Sequence, residues 1–170
     1  MTSAATLFLI VSVPLLCIAA ARDVATRLIP DGISIAIAVA GLVTRGVAGW
    51  SDALISLAVA AVLFFLLLLL AMRGALGGGD VKLMAAMATG LAPADTWSFI
   101  VATVMAGGIL AVAYLLARHV VPEPNLAPGG ALLRRVLAVE SRRIRRRGPL
   151  PYAVAIAAGG VFLLFSLSRA

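Results

Sequence analysis

Charge, cysteine and histidine are all scarce in this chain. Only 12% of its 170 residues are charged, Cys17 is the sole cysteine and His119 the sole histidine. A lone cysteine has neither a disulfide partner nor a second thiol for a metal cluster, so Cys17 reads as a small packing residue. His119 stands beside Arg118 with no second ligand near it in sequence, which argues against a metal site. No metal and no cofactor is expected. A soluble domain of this length would carry about twice this share of charge. That class is excluded, and what fills the chain instead is apolar: 63% of the residues, with a mean hydropathy of +1.13.

The apolar residues fall in long blocks rather than amphipathic stripes. Ala4–Ala21, Ile33–Trp50, Ala53–Met72, Trp97–Ala117 and Pro151–Leu167 each approach or exceed the roughly 18 residues that cross a bilayer as a helix. A sixth block, Val81–Ala94, is shorter and carries Lys82. Ala19-Ala20-Ala21 resembles a signal-peptide cleavage site, but Met1 to Ala5 holds no Lys or Arg, so the first block is kept as a span. An internal repeat of the transporter kind, three helices plus three inverted, is also missing.

Counting charge decides whether the short block crosses. With six spans, connections 22–32, 73–82 and 118–150 share one face, and that face collects 12 of the 14 basic residues. Without the crossing, the eight arginines of 118–150 would face away from the rest, against the positive-inside rule. With six spans, Trp50 and Trp97 lie at the outer interface, where such rings collect. The expectation is a single all-α domain over residues 1–170, polytopic, with six transmembrane helices, both termini outside and the basic connections in the cytoplasm.

Several residues have structural readings. Ser51 or Asp52 can cap the third span and Asp95 the fifth. Pro14 can kink the first span. Gly107-Gly108 and Gly159-Gly160 would let helices approach closely. After a breaker-rich loop at 122–130, ALLRRVLAVESRRIRRR (131–147) sets Leu133, Leu137 and Ile144 near helical spacing among arginines. It reads as a helix lying on the inner leaflet, with anionic lipid as the partner of Arg134 to Arg147. No aromatic residue is interleaved for stacking, so nucleic acid is not the expected partner.

Two aspartates stand apart from these. ALGGGDVKLMAA (75–86) runs three glycines into Asp80, and AARDVATRLIPDGIS (20–34) puts Asp23 at the end of the first span. Asp80 could be an N-cap after a glycine turn, and Asp23 an interfacial charge paired with Arg22 or Arg27. The topology places both at similar depth on the cytoplasmic face. Ionisable groups there are costly unless they line a polar cavity. Two close carboxyls repel when both are ionised, so they share a proton and titrate as a pair. Such a pair can hydrolyse a peptide: the ionised member takes a proton from water, and the protonated one hydrogen-bonds the scissile carbonyl. Glycines nearby would let an extended substrate come close.

Gly77-Gly78-Gly79-Asp80 matches the Gly-x-Gly-Asp signature of intramembrane aspartyl proteases. More closely, the chain resembles the bacterial type IV prepilin leader peptidases, above all the short form associated with tight-adherence pili. Asp23, the turn Ile29-Pro30-Asp31, and Gly77-Gly78-Gly79-Asp80-Val81-Lys82 carry the resemblance. So do Pro151-Tyr152, Ala155-Ile156-Ala157 and Gly159. It implies Asp23 and Asp80 as the catalytic pair, with Pro30, the three glycines and Lys82 shaping the site or binding substrate. The implied reaction is removal of a short basic leader from a pilin-like precursor, at the cytoplasmic side of the inner membrane. Asp31 stands where the family usually has Asn. It either lines the cavity and competes for the shared proton or caps the second span, and the cap is expected. The paired-cysteine domain of longer, methylating members has no counterpart here, so only peptidase activity is expected.

Three other functions compete. A proton-coupled transporter would use one aspartate, a non-catalytic assembly subunit would use both as caps, and a phosphotransferase would use them to hold Mg²⁺.

Overall fold

The computed structural model describes residues 4–120, 139–143, 145 and 150–169. Among the described residues, six helices of 11 residues or more follow in order: α1 Ala4–Thr26, α2 Asp31–Ala48, α3 Trp50–Met72, α4 Gly78–Ala88, α5 Pro93–Val120 and α6 Tyr152–Arg169. Among the described residues there is no strand. Five of the helices are long and apolar enough to cross a membrane, with α4 the exception. The protein is a multi-pass membrane protein.

Six spans as a count are not confirmed: five helices are long and apolar enough to cross, and the sixth apolar block forms the short α4. With 11 residues, α4 rises only about 16 Å, half the roughly 30 Å of a hydrocarbon core. The apolar block that suggested a sixth span is interrupted by a turn over Thr89, Gly90 and Leu91, and Pro93 then opens α5. Proline suits a first helical position because its missing N–H has no partner there anyway.

α4 is the centre of the bundle rather than a lipid-facing element. Every residue from Asp80 to Ala88 except Lys82 is buried, and the helix packs against α2, α3 and α6. The same interior takes Phe8, Leu9 and Leu16 from α1 and Ala153, Ile156 and Leu163 from α6. α2, α3 and α5 instead leave broad apolar faces exposed, as lipid contact requires: Val43, Phe65 and Ile109 are each more than half exposed.

The glycine pairs act largely as expected. A Cβ on Gly159 would strike the Thr103 side chain and come within 3.0 Å of its backbone N, so α5 and α6 touch there. A Cβ on Gly160 would lie 2.6 Å from Leu16 of α1, and one on Gly107 would lie 3.0 Å from the Tyr152 ring. Gly108 meets nothing within 4 Å.

The expected caps are not formed. α3 begins at Trp50 after Gly49, with no side-chain cap, and Asp52 pairs with Arg45 at 3.4 Å. Asp95 is inside the first turn of α5, two residues past Pro93, while the Ala92 carbonyl accepts the Thr96 N–H. Of segment 131–147, residues 139–143 and 145 are helical; Leu133, Leu137 and Ile144 lie outside the described residues.

These contacts predict opposite outcomes for two neighbouring alanines. Gly159→Ala should lower the thermal midpoint in detergent, because added volume in a tight interface costs about 1–3 kcal/mol. Gly108→Ala should leave it unchanged or raise it, since alanine is the better helix former by about 1 kcal/mol.

Candidate active site

Asp23 occupies the last turn of α1 and is only 7% exposed. Its Oδ2 accepts the Ala153 N–H at 3.4 Å, in the first turn of α6. The first N–H groups of a helix have no partner within it, and they carry the positive end of its dipole. The start of α6 therefore stabilises a carboxylate delivered by another helix. Asp23 is no surface ion pair: Arg27, one of its two candidate partners, is engaged with Glu140 at 2.6 Å.

Asp80 is 8% exposed and stands at the third position of α4. The N-cap position belongs to Gly77, so the capping reading of Asp80 is corrected. Its carboxyl turns back to the Gly77 N–H, as an acidic side chain at this position commonly does. A Cβ on Gly77 would sit 2.8 Å from Oδ2, which explains a glycine there. The other oxygen, Oδ1, is buried and has no hydrogen-bond partner.

α1, α4 and the start of α6 bring the two carboxyls to one cavity of about 390 Å³ and within electrostatic range of each other. The glycines take different parts in its wall. Gly78 is open on its Cβ side, with nothing within 4 Å, whereas Gly79 fits against Ile29, 3.2 Å from where a Cβ would be. Pro30 precedes α2 and holds an extended backbone at its N-cap position, φ −63° and ψ 131°.

Lys82 and Asp31 meet at the rim, Nζ to Oδ1 2.8 Å, with side chains 50% and 64% exposed. Asp31 makes no capping bond and lines the cavity, which corrects the expected cap. The pair also borders a second cavity of about 380 Å³ between α2, α3 and α4, lined mainly by apolar side chains such as Ile35, Ala38 and Phe64.

The sequence reading missed Glu140. This residue is 8% exposed and takes three donors: Arg27 at 2.6 Å and Tyr114 Oη at 2.6 Å on Oε1, and Arg143 at 3.1 Å on Oε2. Arg143 also donates to the Val24 carbonyl at 2.8 Å. Here the arginine-rich segment is fastened to the end of α1 and to α5. The signal was present: Glu140 is the single acid in 131–147.

A model of the type IV leader peptidase family matches residues 10–115, a span that includes both buried aspartates. No curated protein and no solved structure matches the chain.

Two alanine substitutions should separate the buried contact from the exposed one. Glu140→Ala strands a buried guanidinium and should cost about 3 kcal/mol or more in stability. Asp31→Ala breaks an exposed pair of about 0–1 kcal/mol and should move the thermal midpoint little.

Proposed function

This chain belongs to the type IV leader peptidase family, and we propose that it is the family's aspartyl endopeptidase for prepilin-like precursors, of the tight-adherence type. It removes a short basic leader at the cytoplasmic face of the inner membrane, just before the precursor's apolar N-terminal helix. The observation that carries the reading is the burial of Asp23 and Asp80, from different helices, in one cavity. The family match covers both.

The chemistry follows from two carboxyls sharing one proton. The ionised carboxylate takes a proton from water as the water oxygen bonds to the scissile carbonyl carbon. The protonated carboxyl gives its proton to the carbonyl oxygen, and a neutral tetrahedral diol forms. When the C–N bond breaks, the first carboxyl passes its proton to the leaving nitrogen. A diol hydroxyl returns one to the second, so the pair ends with the single proton it began with. No metal enters these steps. Asp80 Oδ1, buried and without a partner, suits a group whose partner is a transient water or substrate.

Orientation rests on the basic residues, which the positive-inside rule assigns to the cytoplasm. Arg22 and Arg27 flank the end of α1, eight arginines follow from Arg118 to Arg147, and the end of α1 adjoins the cavity. Anionic lipid is the proposed partner of the Arg134–Arg147 segment, since like charge disfavours its binding a basic leader. Peptidase activity without methyl transfer completes the proposal.

The reading is tested by cleavage of a pilin precursor in membranes holding the wild type, Asp23→Asn or Asp80→Asn. Each variant should accumulate normally and lose about 10²–10⁴ or more in rate, the usual contribution of a general acid or base. Wild-type cleavage should survive EDTA. Normal cleavage by either variant would remove that aspartate from the mechanism.

A further inference from the structure

Arg27 lines the cavity and carries guanidinium donors without a partner. It follows directly on α1 and is the one described non-glycine residue at positive φ, 57°. Its backbone N–H closes the helix on the Asp23 carbonyl at 2.9 Å. Such a conformation is unfavourable for a side-chain-bearing residue and recurs at sites where function fixes the backbone. The side chain is 16% exposed; Nη2 donates to Glu140, and the guanidinium also lies within hydrogen-bonding reach of the Tyr114 hydroxyl. Nε and Nη1 are buried with no hydrogen-bond partner. Neither of them donates to Glu140, whose other contacts are Tyr114 and Arg143.

Asp80, another residue of the cavity wall, carries the complementary orphan, Oδ1, an acceptor without a donor. Arg27 lies within electrostatic range of both Asp23 and Asp80. Buried polar groups are nearly always satisfied, so an unpartnered donor and an unpartnered acceptor in one cavity imply a missing guest. A peptide unit with its attacking water supplies the match: a carbonyl oxygen for the guanidinium, and an O–H or N–H for the carboxylate.

We propose that Arg27 is a catalytic residue, whose free N–H groups bind the scissile carbonyl oxygen and strengthen their hold as negative charge develops on it. Glu140 is its positioning residue, with Tyr114 and Arg143 holding Glu140 in turn. The inference rests on the peptidase reading above. The carbonyl oxygen has two lone pairs and can accept from the protonated carboxyl and from Arg27 together. Arg27 therefore supplements the dyad without changing its proton count.

The test is steady-state cleavage of a precursor by purified full-length enzyme, together with inhibition by a peptidyl fluoroketone, whose hydrate mimics the tetrahedral state. Arg27→Met should lower kcat by about 10²–10³, as loss of one oxyanion donor does elsewhere, with KM little changed. Hydrate affinity should fall in parallel. Arg27→Lys guards against misfolding: it keeps the charge beside Glu140 but loses the fork, and should still lose about tenfold or more in kcat. Glu140→Gln keeps an acceptor for Arg27 and should be milder than either. Wild-type kcat in the Arg27 variants, or a kcat loss with hydrate affinity intact, would overturn the assignment. Undiminished cleavage by Asp80→Asn would instead refute the dyad, and this proposal with it.

Discussion

Burying two carboxyls inside an apolar bundle is the constraint on which the other features depend. Either carboxylate alone would be costly there, and each is held by backbone rather than by a permanent cation. Asp23 takes the first turn of α6, and Asp80 turns back on Gly77 at the start of α4. Two helix N-termini, each positive at its end, therefore converge on the pair. α4 brings its first turn to the cavity that holds Asp23, while the turn after it reaches the start of α3, where Ser56 donates to the Leu91 carbonyl.

The surrounding packing serves the same end. α6 must lie close to both α1 and α5 for Ala153 to reach Asp23, and Gly159 and Gly160 allow the approach. Arg27, Tyr114, Glu140 and Arg143 tie together the end of α1, helix α5 and the arginine-rich connection. Such a buried ion network contributes more to specifying an arrangement than to raw stability. Here the arrangement fixed is the edge of the cavity at the end of α1.

Much of this was legible in the sequence, and the failures have physical causes. Long apolar blocks identify spans because the bilayer imposes a length, so α1, α2, α3, α5 and α6 were placed with few errors. α4 is the hardest to place, because an apolar composition fits a buried core helix as well as a lipid-facing one, and at 11 residues it is short for a span. Asp31, Asp52 and Asp95 were expected to cap helices, as aspartates near a helix start often do. Two of them found cations instead, Lys82 and Arg45, which local spacing does not reveal. Asp23 and Asp80 stood out because glycine, proline and charge are costly in such a chain. Glu140 was hidden among arginines, and its role depends on contacts 113 residues away in sequence.

The central claim is that Asp23 and Asp80 act as one unit, and double-variant kinetics test it most directly. The residual cleavage rate of Asp23→Asn with Asp80→Asn would be compared with that of each single variant, at equal membrane levels. Residues acting as a unit are grossly non-additive, so the double variant should be no more than about threefold slower than the worse single. Losses that multiply would show two independent aspartates and contradict the shared site.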